Sequence, residues 1–223
     1  MEYLYPALKA LALVPLTLLP IINPLSTAPV FAATAGGDRQ VSRRLARQVA
    51  LNSWFVMVGA MLIGTYVLDF FGISLPIVRI GGGLLVASTG WRMLHKNESD
   101  EVQTAASEQA GRLTDAEIML RSFFPITFPL TTGPGTIAAS ITLGAKIHDA
   151  PVHYVVAASV AAMGAALTAV VLYFIFVHAA ALLKKLGEVG TLVMMRLLAF
   201  ILLCVGVEFM WTGWSALNHL PTP

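Results

Sequence analysis

Charge is scarce in this chain. Of its 223 residues, 12% are Asp, Glu, Lys or Arg and 57% are hydrophobic, and the mean hydropathy is +0.77. Soluble domains carry about 25% charged residues, so this set cannot clothe a water-exposed surface. The net charge of +2 is small and scattered, which argues against nucleic acid as a partner. Cysteine is scarcer still. Cys204 stands alone in an apolar stretch, which excludes an internal disulfide or a dithiol redox pair and leaves it as a small core residue. Met1 is followed by Glu2 with no basic region, so a cleavable signal peptide is not expected. The apolar runs hold no cluster of His, Asp or Cys for a metal, and His95, His153 and His178 stand near run ends, too far out to pair with a serine at depth. No enzyme, cofactor or metal is expected.

What is abundant is uncharged length. Ala10 to Ala35, Val49 to Leu68, Ser122 to Ala145 and Ala150 to Leu183 contain no Lys, Arg, Asp or Glu. Ile77 to Leu94 and Leu192 to Leu217 carry only Arg79, Arg92, Arg196 and Glu208. A span needs about 20 apolar residues, so the chain reads as an all-α integral membrane protein of six transmembrane helices. The runs are apolar all round, as lipid-facing helices are. Lys and Arg collect after the first, third and fifth spans: Arg39, Arg43, Arg44 and Arg47, then Arg92, Lys96, Arg112 and Arg121, then Lys184, Lys185 and Arg196. The other side offers little beyond Lys9, Arg79 and Lys146. Cytoplasmic loops carry that excess, so both termini and the short loops near Gly72 and Asp149 are expected outside the cytoplasm. Residues 1–96 form a first three-helix unit, 97–120 an acidic, solvated cytoplasmic linker, and 121–223 a second three-helix unit.

The two units repeat each other. Pro20 to Thr34 reads PIINPLSTAPVFAAT and Pro125 to Ala139 reads PITFPLTTGPGTIAA, identical at seven of fifteen positions without a gap, three of them the same prolines. Arg79-Ile80 and Arg196-Leu197 open the third helix of each unit. The wider spacing in the second unit fits a longer fifth span. Three spans per unit is odd, so the repeats are inverted, as in many secondary transporters.

Each proline removes a backbone N–H and collides with the carbonyl four residues back, at about 3 kcal/mol inside a helix. Pro20, Pro24 and Pro29 therefore break the first span, and Pro125, Pro129 and Pro134 the fourth. In lipid a broken helix must be wrapped by other helices or line a polar cavity. The polar groups at the breaks are Asn23, Ser26 and Thr27, then Thr127, Thr131 and Thr132, while Gly133 and Gly135 bare the backbone. Helix N-termini there present free N–H groups and partial positive charge. Two such breaks meeting near the midplane would hold a small solute with a carboxylate. The site so read is Asn23, Ser26, Thr27, Thr131, Thr132, Gly133 and Gly135, with Pro24, Pro29, Pro129 and Pro134 as the helix breakers. The competing reading makes the breaks packing features of a non-transporting scaffold, with the hydroxyls bonded to nearby carbonyls. Arg79 and Arg196 are structural anchors or gating charges. Asp69 and His178 sit near span ends at the interfaces, while Glu208, well into the sixth span, reads either as an interfacial side chain or as a coupling group.

At Leu19-Pro-Ile-Ile-Asn-Pro-Leu-Ser-Thr27, Phe70-Phe-Gly-Ile-Ser-Leu-Pro76, Arg79-Ile-Gly-Gly-Gly-Leu-Leu85, Pro129-Leu-Thr-Thr-Gly-Pro-Gly-Thr-Ile-Ala138 and Arg196-Leu-Leu-Ala-Phe-Ile-Leu-Leu-Cys-Val-Gly206 the chain resembles the MarC family of inner-membrane proteins. The resemblance covers nearly the whole chain apart from the acidic linker. It implies six transmembrane helices in a three-plus-three inverted repeat of the LysE-type exporter group, in a bacterial inner membrane. It further implies transport of a small neutral solute, since some relatives are described as small neutral amino acid transporters. The family's link to antibiotic resistance is a weak guide to substrate. Many members carry an Asp-Pro-x-Gly-Asn motif where this chain has Asn23-Pro-Leu-Ser-Thr27, so the carboxylate is absent here. The partners implied are the bilayer and the solute, with homo-oligomerisation left open.

Overall fold

The computed structural model describes residues 4–95, 115–148 and 154–219, and every regular element among them is helical. The chain opens with α1 (Leu4–Ile22) and α2 (Pro24–Ala35), bent by 62° at the single residue between them. Pro24 starts α2 because its fixed φ suits a first helical position and its missing N–H would have no partner there. α3 (Arg39–Phe71) is capped by the Asp38 carboxylate, which accepts from Gln40 N at 2.7 Å. It ends at Gly72, whose N–H bonds Asp69 O while Ile73 N bonds Leu68 O, a Schellman closure that needs the left-handed φ of +66°. Its 33 residues span about 50 Å at 1.5 Å each, well beyond a hydrocarbon layer of about 30 Å. The basic N-terminal end, with Arg39, Arg43 and Arg47 exposed, is the part that can project.

α4 (Leu75–His95) follows, then α5 (Asp115–Arg121), a π-helical segment (Ser122–Thr131), α6 (Pro134–His148), α7 (Tyr154–Val177) and α8 (Ala179–Leu217). Three helices are long and apolar enough to cross a bilayer: α3, the Ala158–Val177 part of α7, and α8. The bent pair Leu11–Ile22 with Pro24–Ala35 adds a fourth if taken as one span. Six spans do not emerge from length and apolarity alone. α4 mixes Arg79 and Arg92 with four glycines, and the expected fourth span is divided between the π segment and the 15-residue α6.

Four expectations are corrected. Cys204, read as a small core residue, is exposed on α8. Pro20 and Pro29, read as helix breakers, lie inside α1 and α2 without interrupting them. The linker 97–120 lies outside the described residues up to 114, but Asp115–Arg121 is helix, and Ile118 buries its side chain in the core. The extra length of the second unit is not in the fifth span, since α7 has 24 residues against 33 in α3. It lies in the stretch Ala179–Leu186, set off by non-helical His178 before it and by Gly187 at φ +65° after it. The uncharged run continues past both ends of α7, so charge could not mark where it stops. Lys9, Lys146 and Asp149 belong to stretches whose side chains are not described.

The core forms around the half-helices. α6 is buried at every residue from Ala138 to Ala145, and α2 has no exposed residue. α3, α4, α1 and α7 wrap α6; α8, α7, the π segment and α3 wrap α2, with Phe31 stacked on Phe176 of α7 at 4.7 Å. α4 and α8 form the tightest helix pair. A Cβ at Gly83 would stand 2.6 Å from Gly206 O, and one at Gly90 2.6 Å from Leu203 N. Advancing along α4 thus means retreating along α8, and the two run antiparallel with backbones in contact, as small residues allow between membrane helices.

Candidate functional site

The first break is one residue wide. Asn23 adopts φ 48°, ψ 60°, a left-handed conformation that asparagine tolerates better than other side-chain-bearing residues. Its backbone is fully used: its N–H donates to Leu19 O at 2.9 Å, and its carbonyl accepts from Ser26 N at 3.0 Å and Ser26 Oγ at 2.7 Å. Its side chain does not cap α2. The residue is only 5% exposed and Nδ2 has no hydrogen-bond partner. A buried amide left bare costs about 1–3 kcal/mol, so this group is poised for a ligand or a water. Thr27 is buried beside it and Ser26 is half-buried.

The second break works differently. The residue before a proline is pushed out of the α region, and Phe124 and Phe128 accordingly take extended backbone angles ahead of Pro125 and Pro129. The chain closes with bonds five residues apart, helped by side chains. Thr127 Oγ1 donates to Ser122 O at 2.6 Å, Thr131 Oγ1 to Ile126 O at 2.7 Å, Thr132 Oγ1 to Thr127 O at 3.0 Å and Thr136 Oγ1 to Thr131 O at 3.3 Å. Thr127, Thr131 and Thr132 are buried. Their protons are committed to the backbone, and what they can still present is oxygen lone pairs. This segment has two faces: hydroxyls inward, and Phe123, Phe124, Phe128 and Leu130 outward.

The elements on either side of the two breaks are in contact: α2 touches the π segment and α1 touches α6. Gly133 is half-buried, and a Cβ there would stand 2.7 Å from Pro129 O. Gly135 is buried, and a Cβ there would run into Val86 of α4, so its bareness admits that helix. Pro29 is half-buried within α2 and Pro134 opens α6. Arg196 reaches back to α4, its Nη1 donating to Leu94 O at 3.4 Å near that helix's C-terminal end. There a cation meets carbonyls that lack helical partners. Arg79 is half-buried beside Gly213 of α8, and its Nε has no hydrogen-bond partner. Glu208, Asp69 and His178 are exposed, and so are Trp211 and Trp214 near the end of α8. Three buried residues were not singled out from sequence: Ser53, Ser140 and Ser215, all 0% exposed with unpartnered hydroxyls. Ser140 follows Thr136 by one helical turn, a spacing visible in the sequence. Ser53 had no such signal.

The chain matches the model of the MarC family integral membrane proteins over residues 8–217. It belongs to the MarC family. The inner membrane protein MarC of Escherichia coli K12 is 33% identical over 207 residues, covering 92% of this chain and 94% of that relative. The inner membrane protein MarC of Shigella flexneri matches to the same extent. No solved structure matches the chain. Membership of the MarC family, with apolar helices of this length, makes this a multi-pass integral membrane protein whose broken helices lie in its interior.

Proposed function

We propose that this MarC family member is a secondary transporter that moves a small neutral solute, foremost a small neutral amino acid, by alternating access. In this reading the chain is two inverted three-helix repeats of six spans, both termini lie outside the cytoplasm, and the breaks bind the solute. The observation that carries it is the bare Asn23 amide, buried at the head of α2 inside a bend wrapped by other helices. Its two N–H donors suit a carboxylate, and so does the positive end of α2. The threonines of the second break supply lone pairs for an ammonium group. With no acid or base among Asn23, Ser26, Thr27, Thr131 and Thr132, a zwitterion is matched better than a net cation or anion. The scaffold reading draws support from the second break alone, where every threonine proton serves the backbone.

A thermal-shift screen of the purified protein separates the two. A solute that binds the folded state at a hundred times its Kd adds about 2.7 kcal/mol, a rise of several degrees in Tm. Small neutral amino acids should give it while lysine and glutamate do not. A flat response to every amino acid and related carboxylate would leave the scaffold reading standing.

A further inference from the structure

Two groups stand out among the buried hydroxyls. Thr127, Thr131, Thr132, Thr136, Thr142 and Thr168 each donate to a carbonyl four or five residues earlier. Ser53, Ser140 and Ser215, all 0% exposed, have no partner. A serine in an apolar helix ordinarily bonds back to its own backbone, so a bare one in a dry interior calls for something else to bind.

One of these serines, Ser53, lies beside the π segment, and Ser140 lies on α6. Ser122, Thr127 and Thr132 recur every five residues, in step with the bonds that join them, so they stack on one buried face. α3 runs along that segment: Asn52 Nδ2 donates to Ser122 Oγ at 3.3 Å. Ser53, the next residue, belongs to the buried stripe of α3 with Val49, Ala50 and Met57. It is directed between Asn52, at the π segment, and Trp54, whose Nε1 donates to Ala162 O of α7 at 3.0 Å. Ser140 lies on α6 one turn beyond Thr136. Around that helix Gly135 and Ala138 face α4 while Ile141 and Gly144 face α3. The 100° step per residue puts Thr136 and Ser140 together, turned away from α4, with Ser140 near the edge between α3 and the side that α1 and α7 cover.

We infer that the hydroxyl row Ser53, Ser122, Thr127 and Thr132 lines the solute's route between one face of the membrane and the helix breaks, closed in this conformation, with Ser140 as its inner end. The inference rests on the transport reading and adds the route. A zwitterion leaving water must exchange its hydration for protein groups at each step. The threonines give acceptors to its ammonium, and the two bare serines give donors to its carboxylate.

The test is cysteine accessibility in a Cys204→Ser background, in right-side-out and inverted vesicles, with a membrane-impermeant thiosulfonate. Ser53→Cys should react from one face only, although Ser53 is buried here. Phe55→Cys, on the opposite side of α3 where Phe55 is 65% exposed, should stay inert because it meets lipid. Alanine at ten times its Kd should slow the Ser53→Cys reaction about tenfold, by occupying the protein. Ser122→Cys provides the same readings should Ser53→Cys misfold. No reaction from either face, or equal reaction from both, overturns the route even if a solute still raises Tm. Reaction from one face that no amino acid slows, with no solute raising Tm, keeps the route as a watered vestibule and removes the transport reading.

Discussion

Asn23 combines a left-handed backbone with an amide that touches nothing polar, and this pairing sets how it can be tested. Leucine would remove the amide at similar volume, but a branched side chain at positive φ is strained by roughly 1–2 kcal/mol. Asn23→Gly is cleaner, since glycine takes that conformation freely. It should fold as well as the parent, or slightly better, because a bare buried donor disappears. It should weaken binding of a carboxylate-bearing solute by about 1.5–3 kcal/mol, or roughly 10- to 150-fold in Kd. Thr132→Val should do less, since it removes one of several threonine oxygens offered to the ammonium group. Its hydroxyl is committed to Thr127 O, and the Thr132 N–H, at 2.7 Å from the same oxygen, still satisfies that carbonyl in the variant. Calorimetric titration of both variants decides between them; a large loss in Thr132→Val with none in Asn23→Gly would reverse the roles. Residue types at both breaks were legible in the sequence. Which hydroxyls keep a free proton was not, because that depends on the backbone register after each proline.

Among the helices, the prolines announced that each span breaks, but not which proline breaks it: Pro20 and Pro29 lie inside α1 and α2, and the first break falls at Asn23 ahead of Pro24. The two breaks differ in kind: one αL residue with a 62° bend against a ten-residue π segment braced by threonines. Proline spacing is equal in the two repeats, but only the second has threonines five residues apart to close the wider turns. The stop at His178 and Gly187 was invisible because leucine and alanine run through it. The α4–α8 seam was legible only as a run of glycines, and the partner backbone explains them. Gly206→Val should therefore fail by overpacking: a Cβ there would run into the Ala87 backbone and stand 2.7 Å from Gly83 O. Such intrusions cost about 1–3 kcal/mol, and for a chain of this size each kcal/mol lowers Tm by about 2–4 °C. Gly81→Ala, at an exposed position of α4 with nothing within 4 Å of the new Cβ, serves as the control. It should leave Tm unchanged or raise it slightly, because alanine favours helix over glycine by up to about 1 kcal/mol. Equal Tm values for the two variants would show that the seam yields.

At the scale of the molecule, the remaining question is which way the bundle faces. α3 connects two ends that differ in chemistry. One carries exposed Arg39, Arg43 and Arg47, and the other turns at Gly72 among exposed Phe70, Phe71 and Ser74. Lys184 and Lys185 are exposed just before the Gly187 break, and Arg92 is exposed in the last turn of α4. Arg196, on the far side of that break, donates to Leu94 of the same turn, which brings the Arg92 and Lys184–Lys185 groups to one end of the α4–α8 pair. The turn through Gly72 to Ser74 is too short for α4 to cross back before it begins, so Arg92 and Arg43 stand on the same side if α3 and α4 each span the bilayer. Positive charge thus gathers at one end, and cytoplasmic loops are where such charge gathers. With Cys204 replaced by serine, Ser74→Cys should react with an impermeant maleimide in intact cells and Arg43→Cys only after permeabilisation. The opposite pattern would put the basic end outside and overturn the assignment of both termini. Reaction of both sites in intact cells would mean that α3 does not cross the membrane at all, and the inverted repeat would fall with it.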